Sequence, residues 1–344
     1  MMKDFGLTFF LTALGLMLSV YLGFNESGSW MIGLQFLFTT SILALLETTI
    51  SFDNAIVNAS VLKNMTPLWQ RRFLTWGILI AVFGMRLVFP IVIVCLAASL
   101  GPISAINLAL NDPAKYAEIM LSVHPQVASF GGAFLALVAL SYFFNEDKET
   151  HWIEFIEKKL SKLGSLKSTE VAITLVGLLI FSRYVDPKVS STVLFSGVAG
   201  VLTFIGVKLI GEVLSYKGEG DLAVDIGKQS LGLFLYLEIL DASFSFDGVI
   251  AAFAITSNPL VIAIGLGIGA LYVRSFTILM VKKGSLDAYV FLEHGAFWAI
   301  GLLAVIMFVS ISYHVPEVVS GGIGLLIIAA AFVHSLINQK KSFK

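Results

Sequence analysis

Long apolar stretches dominate the chain, and short polar segments separate them. A helix needs about 20 predominantly apolar residues to cross the hydrocarbon core of a bilayer, and ten stretches approach or exceed that length. They are residues 5–23, 31–57, 73–100, 127–144, 169–184, 190–212, 229–255, 259–281, 289–312 and 317–337. The pattern predicts an all-α membrane protein of about ten transmembrane helices, with the fifth as the shortest.

Two segments between the predicted spans have patterns of their own. Residues 101–126 predict an outer hairpin or short helix. Residues 145–166 read "NEDKETHWIEFIEKKLSKLGSL" and are rich in charge. The apolar positions that recur there at helical spacing are Trp152, Ile153, Ile156 and Leu160. We expect an amphipathic helix that lies in the membrane interface and closes the inner face, in preference to a docking site for a partner.

Basic residues are distributed unequally between the two sides of the predicted membrane. With ten spans and a cytoplasmic N-terminus, sixteen of the 22 basic residues fall in inner segments and three in outer loops. Cytoplasmic loops of membrane proteins carry the excess of Lys and Arg. The distribution predicts a multi-pass protein of the plasma (inner) membrane with both termini in the cytoplasm.

Composition agrees with a membrane protein and excludes several other classes. The chain is 57% hydrophobic and 13% charged, whereas soluble domains are about 45–50% apolar and 25% charged. A net charge of −1 excludes a generally basic nucleic-acid-binding protein. The single cysteine, Cys95, cannot form an internal disulfide or a thiolate metal cage. No nucleophile and general base occur together, so we expect no enzyme.

Two short stretches of the chain are near-copies of each other. "LETTISFDNAIV" (46–57) lies on the second predicted helix and "LDASFSFDGVIA" (240–251) on the seventh. Helices that are five spans apart cross the membrane in opposite directions. Arg86 and Arg274 occupy matching places on the third and eighth helices. We therefore predict a 5+5 inverted repeat, with residues 1–168 as the first half including the amphipathic linker, and residues 169–344 as the second.

Each copy carries acidic side chains in an apolar run, where they are energetically costly. Carboxylates within membrane helices normally face the interior of the bundle and mark ion or proton paths. Glu47 and Ser51 are four residues apart, as are Asp241 and Ser245, so each pair shares a helix face. The candidate metal ligands are Glu47, Ser51, Asp53, Asn54, Glu238, Asp241, Ser245 and Asp247.

The spacing of the acids predicts interrupted helices. The first and second acids of each copy are six residues apart, which is roughly 600° around an α-helix. One cavity can take both acids only if the helix unwinds or bends near Ser-Phe-Asp. Asn54 and Gly248 follow that triplet and tolerate a break. A break also frees backbone carbonyls as ligands for hard cations.

The donor set favours a hard divalent cation. Carboxylate, hydroxyl, amide and carbonyl oxygens suit Mn²⁺, with Ca²⁺ and Mg²⁺ as alternatives. Arg86 and Arg274 are candidates for balancing charge when no cation is bound, and Glu293 and His294 for a proton path. Static ion pairs that hold helices together are the alternative for the acids and arginines. A hydrogen-bonded packing role is the alternative for His294.

The same residues resemble a known family. "ETTISFDNAIVNASVL", "DASFSFDGVIAAFAIT", the intramembrane arginines and "FGGAFLALVALSYFF" resemble the TerC family of integral membrane proteins, which is similar in build to the lysine-exporter superfamily. "FFNEDKETHWIEFIEKKL" resembles a branch of that family with an unknown-function label.

The resemblance implies an association with manganese efflux, metal homeostasis and tellurite resistance. It also implies that the family's acidic positions are Glu47, Asp53, Asn54, Asp241 and Asp247. In this chain Gly248 follows Asp247, where many members have a polar residue. Glu238 lies outside the shared motif and is a candidate on its chemistry alone.

Taken together, the sequence predicts an exporter of a divalent metal cation, foremost Mn²⁺, that works by alternating access and is driven by proton exchange. The alternative is a membrane component that binds metal, or folds beside secretion machinery, without transport. The expected partners are the lipid bilayer and the cation, with no nucleic acid and no prosthetic group. The sequence leaves the oligomeric state open.

Overall fold

A computed structural model describes residues 2–166, 168–215, 222–313 and 315–342 of the chain. The side chains at 2–4, 74, 215, 222–226, 246–247, 317 and 340–342 lie outside this description. Within it the protein is all-helical, with 87% helix and no strand.

The first half of the chain forms nine α-helices and one π-helical segment. They are α1 (Met2–Ser27), α2 (Trp30–Ile50), α3 (Phe52–Leu62), α4 (Pro67–Leu79), the π segment (Ile80–Val88), α5 (Phe89–Ala98), α6 (Pro102–Asn111), α7 (Pro113–Ser122), α8 (His124–Phe143) and α9 (Glu154–Leu163).

The described part of the second half forms seven α-helices. They are α10 (Thr169–Ser182), α11 (Pro187–Ser215), α12 (Leu222–Ile255), α13 (Pro259–Lys283), α14 (Ser285–Ala288), α15 (Leu292–Ser310) and α16 (Glu317–Ser342).

Eight helical stretches of the described residues are long and apolar enough to cross a membrane. They are Phe5–Ser27, Trp30–Ile50, Pro67–Ala98, His124–Phe143, Pro187–Leu214, Pro259–Lys283, Leu292–Ser310 and Val318–Gln339. The predicted all-α, multi-pass character is confirmed at this level. Two predicted spans are not among the eight. The fifth corresponds to α10, which has only 14 residues, and the seventh to α12, which carries Glu238, Asp241 and Asp247.

The outer surface of the bundle is apolar, while its centre is not. Phe10, Trp30, Leu96 and Phe195 are each at least 65% exposed, as expected for side chains that face lipid. α13 is buried around most of its circumference and packs on α1, α2 and α3. α13 therefore forms the centre of the bundle, and its neighbours carry the acidic side chains.

The first motif copy contains the predicted interruption, but the second does not. α2 ends at Ile50, Ser51 has φ −85° and ψ 22°, and α3 begins at Phe52. α12 instead continues through its motif to Ile255. The second copy therefore differs from the expectation of an unwound helix, because its backbone keeps the regular α-helical path.

The third predicted span contains a π-helical segment that the sequence pattern did not predict. Pro90 has no N–H to donate to the carbonyl of Arg86, four residues earlier. The backbone follows a π-helical path from Ile80 to Val88, just before this proline. Wide turns of this kind often occur at functional sites, and this one positions Arg86.

The two segments outside the predicted spans are helical. Residues 101–126 form the hairpin of α6 and α7. The amphipathic linker is shorter than predicted, because α9 begins only at Glu154, after Trp152 and Ile153. Its most buried residue is an acid, Glu157, with 1% exposure, while Ile156 is 41% exposed.

Candidate functional site

The two motif copies meet beside α13. Asn54 and Asn58 of α3 each donate a side-chain hydrogen bond of 2.8 Å to Oδ1 of Asp241 on α12. Gly248 of α12 lies close to Glu47 of α2, since a Cβ placed on it would be 3.2 Å from Oε2 of Glu47. The structure therefore brings together residues that are almost 200 positions apart in sequence.

An arginine neutralises the first acid of the first copy. Nη2 of Arg86 donates to Oε1 of Glu47 in an ion pair, and Nη1 donates to the carbonyl of Ala81 at 2.6 Å. Arg86 and Glu47 are 7% and 8% exposed. A buried charge is tolerated only when it is paired, and this pair links α2 to the π segment.

A second arginine occupies the equivalent place in the second copy. Nη2 of Arg274 donates to Oδ2 of Asp241 in an ion pair and lies 3.5 Å from Oε1 of Glu238. Its guanidinium stacks 3.7 Å from the ring centroid of Phe73 and donates to the Phe73 carbonyl at 3.3 Å. Among the described residues, Arg274 therefore pairs with two acids, whereas Arg86 pairs with one.

Two glycines make room for the arginine centres. A Cβ on Gly77 would lie 2.6 Å from both Nη1 of Arg274 and Oε1 of Glu238. A Cβ on Gly269 would overlap the side chain of Glu47. Each centre thus depends on a position where an ordinary side chain does not fit.

Asp53 lines a small internal cavity, here called the acidic cavity. It is 6% exposed, lies in the first turn of α3, and accepts a 2.8 Å hydrogen bond from the amide of Asn54. Asp53 forms no ion pair with the described basic side chains. The cavity has a volume of about 30 Å³, which is room for a water molecule or a dehydrated ion. Its other polar lining residues are Glu47, Ser51, Ser243 and Ser320.

A narrower cleft, here called the arginine cleft, joins the two centres. It is lined by both arginines and by Glu47, Ser51, Asn54, Asp241 and Ser245, among others. Several buried oxygens near Asp241 have no hydrogen-bond partner in the described structure: Asn54 Oδ1, Asn58 Oδ1, Glu238 Oε2 and Ser245 Oγ. Leaving such an atom unsatisfied costs about 1–3 kcal/mol, so these oxygens are chemically suited to accept a cation.

The described side chains do not form a ready-made metal cage. No group of three or more His, Cys, Asp or Glu side chains in the described part of the chain is arranged to hold a metal ion. The guanidinium groups of Arg86 and Arg274 instead contact the acids. The side chain of Asp247 lies outside the described residues, and its role as a ligand stays a prediction.

Glu293 and His294 are placed away from the two cavities. Glu293 lies 3.8 Å from Nζ of Lys63. Nδ1 of His294 lies 2.8 Å from Oε2 of Glu157, and its ring packs against Tyr142. Neither residue is among those that line the acidic cavity or the arginine cleft. Their assignment to a proton path stays a prediction without support from these contacts.

Glu157 of the linker is a buried centre that sequence reasoning missed. Its carboxylate accepts hydrogen bonds from Trp298 Nε1 at 3.0 Å, Lys148 Nζ at 3.3 Å and the backbone amide of Trp152 at 3.2 Å. Burial opposes its ionisation, but the bonds and charges of His294, Trp298 and Lys148 outweigh that effect and hold the pKa of Glu157 well below its usual range. The prediction considered only the apolar residues, although Glu157 is four residues after Ile153 and three before Leu160 and so adjoins their face of the helix.

Asn58 was also missed, although the sequence contained a signal for it. It follows Asn54 by four residues, so both amides share one face of α3. Polar amides on a membrane helix, like acids, are expected to face the interior of the bundle. The face that Asn54 and Asn58 share is the one that contacts Asp241.

Comparison with known proteins identifies the family but not a function. A family model described as a protein of unknown function (DUF475) matches residues 52–342. Since the match covers most of the chain, the chain belongs to that family. No curated protein and no solved structure matches it significantly.

Proposed function

We propose that this member of the DUF475 family is a membrane transporter that exports a divalent metal cation, foremost Mn²⁺, by alternating access with proton exchange. The observation that carries this proposal is the meeting of the two acidic motif copies around one buried, oxygen-lined space. The sequence resemblance to the TerC family is consistent with it. The cation is the transported substrate.

The charge of the described site suits a divalent ion. The buried acids are Glu47, Asp53, Glu238 and Asp241, and the buried arginines are Arg86 and Arg274. When all are ionised, these side chains carry a formal charge of −2, which one divalent cation or two protons neutralise. A site that alternates between these two loads would couple export of the metal to import of protons.

The arginines supply a physical mechanism for exchange. In the arrangement seen here each guanidinium lies on an acid that a cation would need. We propose that the incoming ion displaces the guanidinium groups and gathers the oxygens of Asn54, Asn58, Glu238 and Ser245. On release the arginines return, so the empty site never exposes uncompensated buried carboxylates.

The chain topology that we propose is ten transmembrane helices in a 5+5 inverted repeat, with both termini in the cytoplasm of the inner (plasma) membrane. The support is the mirrored chemistry of the two halves. In each half, the arginine of the helix after the motif pairs with the first acid of that motif. Inverted repeats of this kind place the substrate site where the halves meet.

Flux through the purified protein in liposomes tests the proposal. We expect the wild-type protein to move Mn²⁺ across the liposome membrane, faster with a pH gradient. Asp53→Asn, which removes one charge with almost no change of shape, is expected to abolish flux. Glu118→Gln on α7 is the matched control because that acid is exposed. Undiminished flux in Asp53→Asn would contradict the assignment.

The arginine pairs also favour a second candidate, a membrane component that does not transport. If the acids and arginines only hold α2, α12 and α13 together, the protein is a scaffold or a metal-binding partner of secretion machinery. In that case liposomes that contain the purified protein show metal binding, or neither binding nor flux, at every pH gradient.

A further inference from the structure

A larger cavity opens at one end of the bundle, where α12 and α15 end and α8 begins. We name it the terminal vestibule, and its volume is about 310 Å³. Its polar lining consists of His124, Ser310, Ser312, Tyr313 and Ser320. The hydroxyl of Ser310 lies 3.3 Å from Nε2 of His124. Hydroxyl and imidazole groups at the ends of apolar helices are suited to hold water.

The vestibule and the acidic cavity follow one another along the same helix faces. On α12, Phe244 and Gly248 line the acidic cavity, while Ala251 and Ala254 line the vestibule. These positions are three or four residues apart and so form a single stripe. Ser320 of α16 lines both cavities.

α15 repeats this order on the opposite wall. Leu303 and Met307 line the acidic cavity, and Ile306 and Ser310 line the vestibule. The two cavities are therefore neighbouring sections of one route between the end of the bundle and Asp53.

Met307 lies at the boundary between the two sections. It is fully buried, and its Cε would be 2.6 Å from a Cβ placed on Gly131 of α8. Methionine is flexible and adapts its shape to its surroundings. A change of its rotamer can open or close a passage without movement of the backbone.

Polar contacts cover the ends of α3 and α15 at the opposite end of the bundle. Glu157 joins the linker to α15 through His294 and Trp298. Lys63, at the end of α3, lies 3.5 Å from Asp287 and 3.8 Å from Glu293. A separate cavity of about 450 Å³ lies at this end between α8, the linker and α11, but it shares no lining residue with the acidic cavity, whereas the vestibule shares Ser320 with it.

We propose that the terminal vestibule is the water-filled entrance through which a hydrated divalent cation reaches or leaves the acidic cavity, and that Met307 is the constriction between them. The identity of the ion rests on the proposed function. The route itself does not, because a protein that only binds the cation also needs access to its site.

Chemical labelling of single cysteines tests the route in the full-length protein. Cys95→Ala removes the one native thiol, and Ser310→Cys and Ser320→Cys place a new thiol in the vestibule. Val309→Cys and Val319→Cys are matched controls, since these neighbouring side chains are 39% and 47% exposed on the outside of the bundle. The probe is a positively charged, membrane-impermeant methanethiosulfonate, applied to protein in liposomes.

The expected result is that both vestibule cysteines react at least about tenfold faster than their neighbours, because water favours the reactive thiolate and lipid does not. Mn²⁺ is expected to slow the reaction at Ser320→Cys. Ser243→Cys, which faces the acidic cavity, is expected to react slowly until Met307→Ala is added.

Each outcome separates the route from the transport proposal. Vestibule cysteines no more reactive than their controls would overturn the route, even in protein that moves Mn²⁺. A rate at Ser243→Cys that Met307→Ala leaves unchanged would overturn the constriction. Fast labelling and protection by Mn²⁺ without flux would support the route and overturn transport.

Discussion

The two copies of the acidic motif share their chemistry but not their backbone. In the first copy the helix is interrupted at Ser51, and Asp53 lies in the first turn of the next helix. In the second copy α12 continues without interruption past Asp241 and Gly248. An internal repeat therefore does not guarantee equal local structure, even where two twelve-residue stretches share Leu, Ser, Phe, Asp and Ile at the same positions.

The residues just before the triplet explain the difference. The first copy has Thr48, Thr49 and Ile50, and β-branched residues are weaker helix formers. The hydroxyls of Thr48 and Thr49 each bond the carbonyl four residues earlier at 2.7 Å, a contact that bends helices. The second copy has Ala242, Ser243 and Phe244 at these positions, so only one hydroxyl competes there.

The comparison suggests that the two copies have different roles in the site. The interrupted copy supplies Asp53, which has no ion pair with the described basic residues, and opens the acidic cavity. The continuous copy supplies Asp241, which Arg274, Asn54 and Asn58 hold in place. We infer that the first copy responds to the cation first, and that the second copy is a rigid wall until the cation displaces Arg274.

Removal of the arginines should give the largest difference between the copies. Arg274→Met leaves two buried acids, Asp241 and Glu238, without their shared cation, and loss of one partner of a buried pair costs about 3–5 kcal/mol. Arg86→Met exposes only Glu47 to this effect and should cost less. Thermal unfolding in detergent measures both. Restoration by Asp241→Asn in the Arg274→Met background is the control, and equal losses in the two single variants would contradict the asymmetry.

The two glycines test the same centres by shape alone. Gly77→Ala would bring a methyl group against Arg274 and Glu238, which should destabilise the protein by about 3 kcal/mol, the upper end for overpacking. Gly269→Ala should act in the same way on Glu47. Gly206→Ala is the matched control, since nothing lies within 4 Å of its added Cβ. A neutral effect at Gly77 would show that the second wall is not rigid.

Glu157 belongs to neither copy and provides a reference outside the membrane spans. Because the pKa of its carboxyl is lowered in the folded protein, its stabilising effect is complete above the ordinary glutamate pKa of about 4.3. The effect is lost as pH falls through the lower folded-state value. Glu157→Gln should remove about 2 kcal/mol at neutral pH, the range of charge-assisted hydrogen bonds. It should also flatten the acid limb of a stability profile, whereas an unchanged limb would show that Glu157 is not the titrating group.

The smallest expected effect concerns the interruption itself. Thr48→Ala with Thr49→Ala should stabilise α2 by a few tenths of a kcal/mol per residue through better helix propensity. At the same time it should reduce Mn²⁺ flux, because a straighter helix turns Asp53 away from the acidic cavity. Thr203→Ala on α11 is the control for loss of a hydroxyl, since Thr203 also bonds the carbonyl four residues earlier, at 2.8 Å, and lines neither the acidic cavity nor the arginine cleft. A gain in both stability and flux would contradict a functional role for the bend.

Much of the fold was accessible from the sequence, because hydrophobic pattern alone reports which stretches avoid water. Each of the ten predicted spans contains a helix, of which eight stretches in the described residues are long and apolar enough to cross a membrane. The repeat of Glu47–Asp53 in Asp241–Asp247 directed attention to helices that contact each other in the structure. The contact of Asn54 with Asp241 could not be predicted, because it depends on how α3 and α12 pack.

The missed features have a common physical cause. The π-helical path around Arg86 depends on Pro90 together with packing, and Glu157 is buried only because α15 supplies His294 and Trp298 from more than 130 residues away. A pattern of local spacing contains no information on such distant partners. The sequence likewise does not indicate that Gly77 is required, because the reason is the guanidinium of Arg274 that lies against it in the folded protein.

Equilibrium binding of Mn²⁺ to purified protein in detergent tests the central claim most directly. Electron paramagnetic resonance of free Mn²⁺ gives the bound fraction for the wild type, Asp53→Asn, Asp241→Asn and the control Glu118→Gln. We predict that wild type and Glu118→Gln bind Mn²⁺ alike and release protons as they do so. We also predict that each motif variant binds at least about tenfold more weakly, a loss of 1.4 kcal/mol. Equal binding by all four proteins, or binding without proton release, would contradict a shared cation centre.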